Sequence, residues 1–496
     1  MNCDILIAPV MNHLHAVYWI ILLYVNHIAD AQSLQEWEKR TTAFKLRNGM
    51  TFVVAERHEF PVVSFHTYVS VGSADDPPGK SGMAHLLEHL AFKGTRSIGS
   101  FDPQKEAEAM DREDNAFNDL MQSRETNKDA LARFQSARAE ARKYSNAKEW
   151  PELIDRAGGV GMNANTSCDS IDFYYRLPSN KTELFFYLES ERFLNPVLRD
   201  FYTEKEIVME ERRQTVENRS GGRLMEDFLL AAFINHPYRN PTLGFFSDLR
   251  TISRPHALAH LQQNFTADRI TIAIVGAVQT ASIKTMAEKY FGQIHSSMVP
   301  QVPAPEEPKI EIERRITILK NIQTQLLIGY RIPGIRHPDY LPLTTLADVL
   351  VRGRSSRLHK SLITEKKMAH SVEGKTFYPG MRNNNLLFIS LIPVESGKVG
   401  HCEQEVFSQI QLLQKERVSS AELEKAKNRA RADLIRELDS NQGLALQLAF
   451  FQAELDDWRE LFVSLERIKT ILPEDLIRVA QHYLTPENRT VAVGKP

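Results

Sequence analysis

The sequence predicts an α+β fold built from two homologous α/β-sandwich-like halves that face each other across a cavity, with a helical insertion in the first half. Three observations predict it. First, a segment recurs: Asn264-Phe265-Thr266-Ala267-Asp268-Arg269 runs into an apolar strand ending at Gly276. Near the C-terminus Thr485-Pro486-Glu487-Asn488-Arg489 runs into an apolar strand ending at Gly494, with Arg489 standing 220 residues after Arg269. Second, residues 299–308 between the copies carry four prolines and two glutamates, the composition of an extended linker. Third, 496 residues with 42% hydrophobic content exceed one ordinary domain. An internal duplication satisfies all three. The expected division is a leader at 1–31, a first half at 32–298, a linker at 299–315 and a second half at 316–496.

Bulk chemistry removes several function classes. A net charge of −2 provides no basic footprint for nucleic acid and no polybasic arm for a membrane. The three cysteines, Cys3, Cys168 and Cys402, are far apart and form no Cys-x-x-Cys, so neither a disulfide framework nor a thiolate zinc site is available. Residues 16–25 form an apolar run of ten, too short to span a bilayer and suited to a signal core. Ala29-Asp30-Ala31 follows as a small-x-small site, with cleavage expected before Gln32. The expectation is an exported protein, periplasmic where the cell has two membranes and not stably inserted after cleavage. An uncleaved membrane anchor is the alternative, and initiation at Met1 or Met11 stays open.

The elements follow in order. Residues 44–54 read as a hairpin around Arg47-Asn48-Gly49, because Asn-Gly tolerates positive φ at both turn positions. A second strand spans 62–71, and the polar loop Asp75-Asp76-Pro77-Pro78-Gly79 delivers the chain into a helix ending near Lys93-Gly94-Thr95. Residues 102–150 then hold 11 acidic and 9 basic side chains, which predicts a solvated, inserted helical hairpin instead of a core element. A strand over 171–177 and helices over 181–194 and 203–219 complete the first half. The second half opens with strands near 316 and 325–330 and a helix over 343–351 that has no histidine, so only the first half can hold a metal.

The chemistry lies in His85-Leu86-Leu87-Glu88-His89. Histidines four apart share one helix face, the spacing at which two imidazoles can hold one metal ion. Glu88 projects near that face, where a carboxylate can take a proton from water on the metal. Glu204 and Glu211, seven apart, share a face of a later helix. A charged helix ordinarily just displays its glutamates to water, and an amphipathic core helix carrying chance histidines is the competing view of the first motif.

With Gly82-Met83-Ala84 before it and Ala91-Phe92-Lys93-Gly94-Thr95 after it, the His85 motif closely resembles that of the pitrilysin (insulinase-like) zinc peptidases, the inverzincins, including their bacterial processing-peptidase-like members. Asn163-Ala164-Asn165-Thr166-Ser167 resembles the family's edge-strand motif, and Glu204 through Glu211 its glutamate helix. The resemblance implies one zinc ion held by His85, His89 and Glu211, with Glu210 as the adjacent alternative and Glu204 supporting the site. It implies peptide hydrolysis with Glu88 as proton acceptor, and substrate pairing along Asn163 and Ala164. Manganese or cobalt could replace zinc in vitro.

One departure from the family pattern stands out. Family members usually carry an arginine and, seven residues on, a tyrosine in the second half. Counting on from Arg357-Leu358 puts Ile363 and His370 there, and His370 could still donate one hydrogen bond to substrate. The expectation is therefore a heterodimer in which a homologous subunit supplies the missing pair. The competing function is a non-catalytic peptide-binding or assembly subunit, and a purely structural scaffold is a third.

Overall fold

The computed structural model describes residues 34–123, 126–219, 221–297, 305–309, 311–319 and 323–496. The expected leader at 1–31 lies outside the described residues, as do 298–304 and 310 of the linker region. No helix among the described residues is long and apolar enough to cross a membrane.

The hairpin expected at 44–54 is β1 (Thr41–Lys45) and β2 (Thr51–Glu56), paired antiparallel from Thr41 opposite Ala55 to Lys45 opposite Thr51. Gly49 takes φ +96°, and the Asn48 amide donates to the Phe291 and Ile294 carbonyls, so the turn is tied to the helical layer beneath. β3 (Val62–Val69) stops two residues short of the expected end. Helix α1 (Met83–Leu90) carries the His85 motif, followed by α2 (Pro103–Gln122) and α3 (Lys128–Arg142). β4 (Val160–Thr166), β5 (Ile171–Pro178), α4 (Phe201–Arg212), α5 (Gly222–Ala232) and β6 (Ile270–Gly276) complete the first half. The helix expected over 203–219 is thus shorter: beyond Arg212 the chain widens into a π-helical segment over Arg213–Glu217.

The second half holds β7 (Arg314–Leu319), β8 (Gln325–Ile332), α6 (Tyr340–Leu350), β9 (Ala369–Tyr378), β10 (Asn385–Pro393), α7 (Asn441–Leu455) and β11 (Arg489–Lys495). Its sheet runs β7-β11-β8-β10-β9; the first runs β1-β2-β6-β3-β5-β4. Each contains one parallel pair, β2 with β6 and β7 with β11, and is otherwise antiparallel. The order β2-β6-β3-β5-β4 maps strand for strand onto the second sheet, with the recurring segments becoming β6 and β11. This is the duplicated α+β fold the sequence predicts.

At the centre of each sheet both faces are buried. In β2, Phe52 and Val54 join the core under α1, while Val53 and Ala55 face the other way. That second face is covered by α7 of the other half, through Leu444, Ala445, Leu448 and Ala449. Reciprocally, α5 of the first half lays Leu224, Phe228 and Leu229 against Leu327, Leu386 and Phe388 of the second sheet. Each half therefore covers the other's sheet.

The charged segment at 102–150 requires a correction. It does form a helical hairpin, α2 and α3, but the hairpin is built into the core: Phe117 and Phe134 enclose Tyr202 of α4, with ring centroids 4.5 and 5.2 Å away. Glu106 and Glu113 are buried, 3% and 2% exposed. The Glu106 carboxylate accepts two bonds from Arg199, at 2.6 and 2.8 Å, and Arg199 also donates to the carbonyls of Lys93, Thr95 and Ile98. Glu113 and Asp114 pair with Arg254, and the Tyr202 hydroxyl donates to Asp114 at 2.7 Å. Charge count alone hides this, because the partners lie 88 to 144 residues away in sequence.

Glu106→Ala should destabilise the protein by about 3–5 kcal/mol, because Arg199 is left buried without its counter-charge. The exposed neighbour Glu108→Ala should change stability by less than about 0.5 kcal/mol; urea denaturation of the two variants measures the contrast. In the second half, hydrogen bonds from Arg357 hold the Glu422 carboxyl at about 2, against an ordinary 4.5. A depressed carboxylate stabilises the fold fully above its unfolded value and loses that contribution as pH falls through the folded one. Between about pH 4.5 and 2 the wild type should lose stability that Arg357→Gln already lacks, so the two melting curves converge on acidification.

Candidate metal centre

The start of α1 is fixed before any site chemistry begins. The Asp76 carboxylate accepts the backbone N–H groups of Gly82, Met83 and Ala84, at 2.7, 3.1 and 2.9 Å, satisfying donors a helix start leaves unpaired. Gly82 itself sits at φ +88°, where a Cβ would come 2.8 Å from the Leu243 carbonyl oxygen. Asp76 is read from sequence only as part of a polar loop. It stands six residues before Gly82, too far to register as an adjacent cap.

On α1, Met83, Ala84, Leu86, Leu87 and Leu90 enter the core, while His85 and His89 point towards α4 with ring centroids 4.8 Å apart. Glu211, in the last turn of α4, brings Oε2 to 3.9 Å from His85 Nε2 and 3.6 Å from His89 Nε2. One donor atom from each of the three lies within 4.8 Å of the others, the single such grouping among the described residues. Two donors each about 2.0–2.1 Å from one tetrahedral zinc stand about 3.3–3.4 Å apart. The Glu211 oxygen already stands near that spacing from both rings, while the widest separation in the set, up to 4.8 Å, must close further for an ion to be held. Glu210 does not join it: its carboxylate is taken by Arg213 and Gln214 on the exposed side of the helix.

Surrounding groups orient these donors. His89 Nδ1 lies 3.4 Å from Glu204 Oε2, and Lys93 Nζ lies 2.7 Å from the other oxygen of the same carboxylate. The Glu204 contact raises the affinity of His89 for a proton, and burial opposes it. Burial also pushes the Glu204 carboxyl up, but the bonds from His89 and Lys93 outweigh it and leave the group lowered. With a proton on Nδ1 held by Glu204, the His89 Nε2 lone pair faces Glu211, the arrangement metal-binding imidazoles use. Burial, then the neighbouring His89, lowers His85 to about 4, so its ring is neutral at physiological pH.

Glu88 is pushed up by burial, while its oxygen accepts the Thr166 hydroxyl, which pulls the other way. Thr166 ends β4, the terminal strand of the first sheet. Sequence reading includes Thr166 in its edge motif without assigning this contact, because β4 and α1 meet only in three dimensions. Asn163 and Ala164 also lie on β4, and the Asn163 side chain accepts the Ala164 N–H at 2.9 Å, so a peptide pairing there must displace that amide. His370 is exposed at the start of β9 in the other sheet, and Ile363 packs against the second core. Cys168 is buried and burial pushes its thiol up to about 12, which removes it as a nucleophile.

Comparison with known proteins identifies the family and the fold. The family model described as insulinase, peptidase family M16, matches residues 51–123, and that of the peptidase M16 inactive domain matches 251–430, together just over half the chain. The zinc protease PqqE of Helicobacter pylori is 24% identical over 494 residues, covering 96% of this chain and 97% of that one. A probable mitochondrial-processing peptidase subunit beta of Schizosaccharomyces pombe is 23% identical, covering 92% and 91%. Among solved structures, a protease from Helicobacter pylori superimposes with a TM-score of 0.77 at 23% identity, covering 92% of this chain and 99% of that one. A peptidase M16 inactive domain from Pseudomonas fluorescens follows with 0.74 at 15% identity, covering 92% and 98%.

Zinc titration should find one site that His89→Ala or Glu211→Ala removes. Glu204→Gln should weaken it about 10–100-fold, the usual weight of an orienting partner. Glu210→Gln should leave affinity unchanged, and chelator competition measures all four.

Proposed function

Because this chain belongs to the M16 family of insulinase-like peptidases, we propose that it is a zinc-dependent endopeptidase acting on peptides or unfolded protein segments. The observation that carries the reading is the convergence of His85, His89 and Glu211 beside Glu88, four groups from two helices distant in sequence. Zinc, when bound, supplies a Lewis acid that polarises the scissile carbonyl and acidifies water.

The chain's own residues do the rest. Glu88, pushed up by burial, accepts the proton of the attacking water and delivers it to the leaving amine. The Thr166 hydroxyl holds that carboxylate in one orientation. Glu204 and Lys93 fix the His89 ring. The open edge of β4 pairs with an extended backbone, which gives affinity with little sequence demand and favours unfolded substrates over folded ones.

The second half supplies no arginine and tyrosine at positions 363 and 370. We therefore assign the chain to a heterodimer, as its zinc-bearing subunit, with a homologous partner completing the substrate clamp. The apolar run at 16–25 supports export, to the periplasm in a cell with two membranes.

Glu88→Gln should retain one zinc per chain and lose peptide hydrolysis by about 10²–10⁴-fold. Zinc retained with wild-type turnover unchanged would remove Glu88 from the chemistry, and a wild type that binds zinc yet cleaves no peptide, even with its partner, would favour the binding-subunit reading. Turnover by the purified chain should rise on adding the partner; full activity as a monomer would end the heterodimer assignment.

A further inference from the structure

The two faces of β4 lead to different places. Thr166 meets Glu88 on the metal side, whereas Asn163 and Asn165 turn to the opposite face, beside Tyr174 and Asp172 across the β4–β5 ladder. Side chains of a paired strand alternate in the same way. A peptide laid along β4 therefore sends successive residues alternately towards the metal centre and into the space behind it. That space is a cavity of about 520 Å³ between the halves.

Its walls have a definite chemistry. Three carboxylates line or edge it, Asp169, Asp172 and Glu454. The opposing cation is Arg382, already engaged by Glu454 at 2.6 Å and by the Asp169 carbonyl at 3.0 Å. Asp172 accepts from Ser170 at 2.9 Å and lies 2.8 Å from His66 Nε2, which leaves lone pairs on both oxygens for a further donor. His66 is 1% exposed and its Nδ1 has no partner, so the inner wall is polar and incompletely satisfied. Around this floor stand aromatic faces: Tyr174, stacked parallel on His66, and Phe377 and Phe450 from the second half. Excess negative charge, free acceptors and aromatic walls match an aliphatic stem with a cationic head.

We propose that this cavity is a side-chain subsite for a lysine or arginine of the bound peptide, entered from the face of β4 opposite the metal centre, with Asp172 as the recognising carboxylate. The proposal rests on the peptidase reading above, and the test keeps the two apart. Labelled extended peptides carrying lysine, norleucine or glutamate at one position, moved along the chain, are titrated into the Glu88→Gln protein and read by fluorescence anisotropy.

In one register lysine should bind about tenfold tighter than norleucine, the weight of one charge-assisted hydrogen bond, and glutamate weaker than either. Asp172→Asn in the same background should bring the lysine-to-norleucine ratio to about one. Leu446→Trp, which fills the cavity from the second half, should lower it independently. Equal binding of lysine and norleucine in every register, tighter binding of glutamate, or no binding of any peptide overturns the subsite. Cleavage of both peptides by the wild type without a lysine preference removes the subsite and leaves the peptidase reading standing. A lysine preference in binding with no cleavage of any peptide by the wild type, even with its partner, does the reverse.

Discussion

The constraint on which this structure depends is that the central strands of both sheets are buried on both faces. β6 is buried at every position from Ile270 to Gly276, so neither side of the first sheet can face water. Each half supplies helices for one face only, and the other face is covered by a helix from the partner half: α7 on the first sheet, α5 on the second. Burying a leucine or phenylalanine contributes roughly 1.5–3 kcal/mol. The eight or so large side chains crossing between the halves thus outweigh any single polar contact in the molecule. The two halves hold a fixed relation, and the cavity between them is a consequence of how the helices are exchanged.

The candidate metal centre depends on that packing at one remove. Its candidate donors come from α1 and α4, which lie far apart in the chain and are each anchored by residues outside the donor set. Asp76 ties down the start of α1, while Phe117, Phe134 and the Asp114–Tyr202 bond grip the start of α4. At the other end of α4 Arg212 is buried against Glu226 of α5 and the Gly244 carbonyl. Glu211, one residue earlier, is thereby set on a helix turn whose neighbour cannot move. Groups outside the donor set thus bring its three atoms to within 4.8 Å of one another.

Charge is used in two different ways. The chain Lys93–Glu204–His89 is partly open to solvent and sets the orientation of a ring. The pairs Arg199–Glu106 and Arg254–Glu113 are buried and hold the helical hairpin against the rest of the first half. Buried pairs of this kind contribute little net stability compared with apolar packing, but losing one partner is severe, so they fix register more than they add strength.

Local chemistry in the sequence determined much of this. The Asn48-Gly49 hairpin, the His85–His89 spacing, the seven-residue interval of Glu204 and Glu211, and the recurrence of the β6 and β11 segments all follow from periodicities of one to four turns or from repeats. The duplication and the pairing of His85 with His89 on one helix face were therefore legible, whereas Glu211 as a third donor entered only through the family resemblance. Tertiary structure alone decided the rest. A segment with twenty charges in forty-nine residues reads as solvated, yet Glu106 and Glu113 are buried, because their arginines arrive from other elements. Asp76 and Thr166 took up their contacts with the site only through folding, since neither lies at a spacing that a helix or strand would mark, and Lys93, four residues after His89, reaches the site through Glu204 of a later helix. The His85 motif itself specifies a place for a metal; what faces it across β4, and the cavity behind that strand, exist only because two apolar sheets had to be covered from both sides.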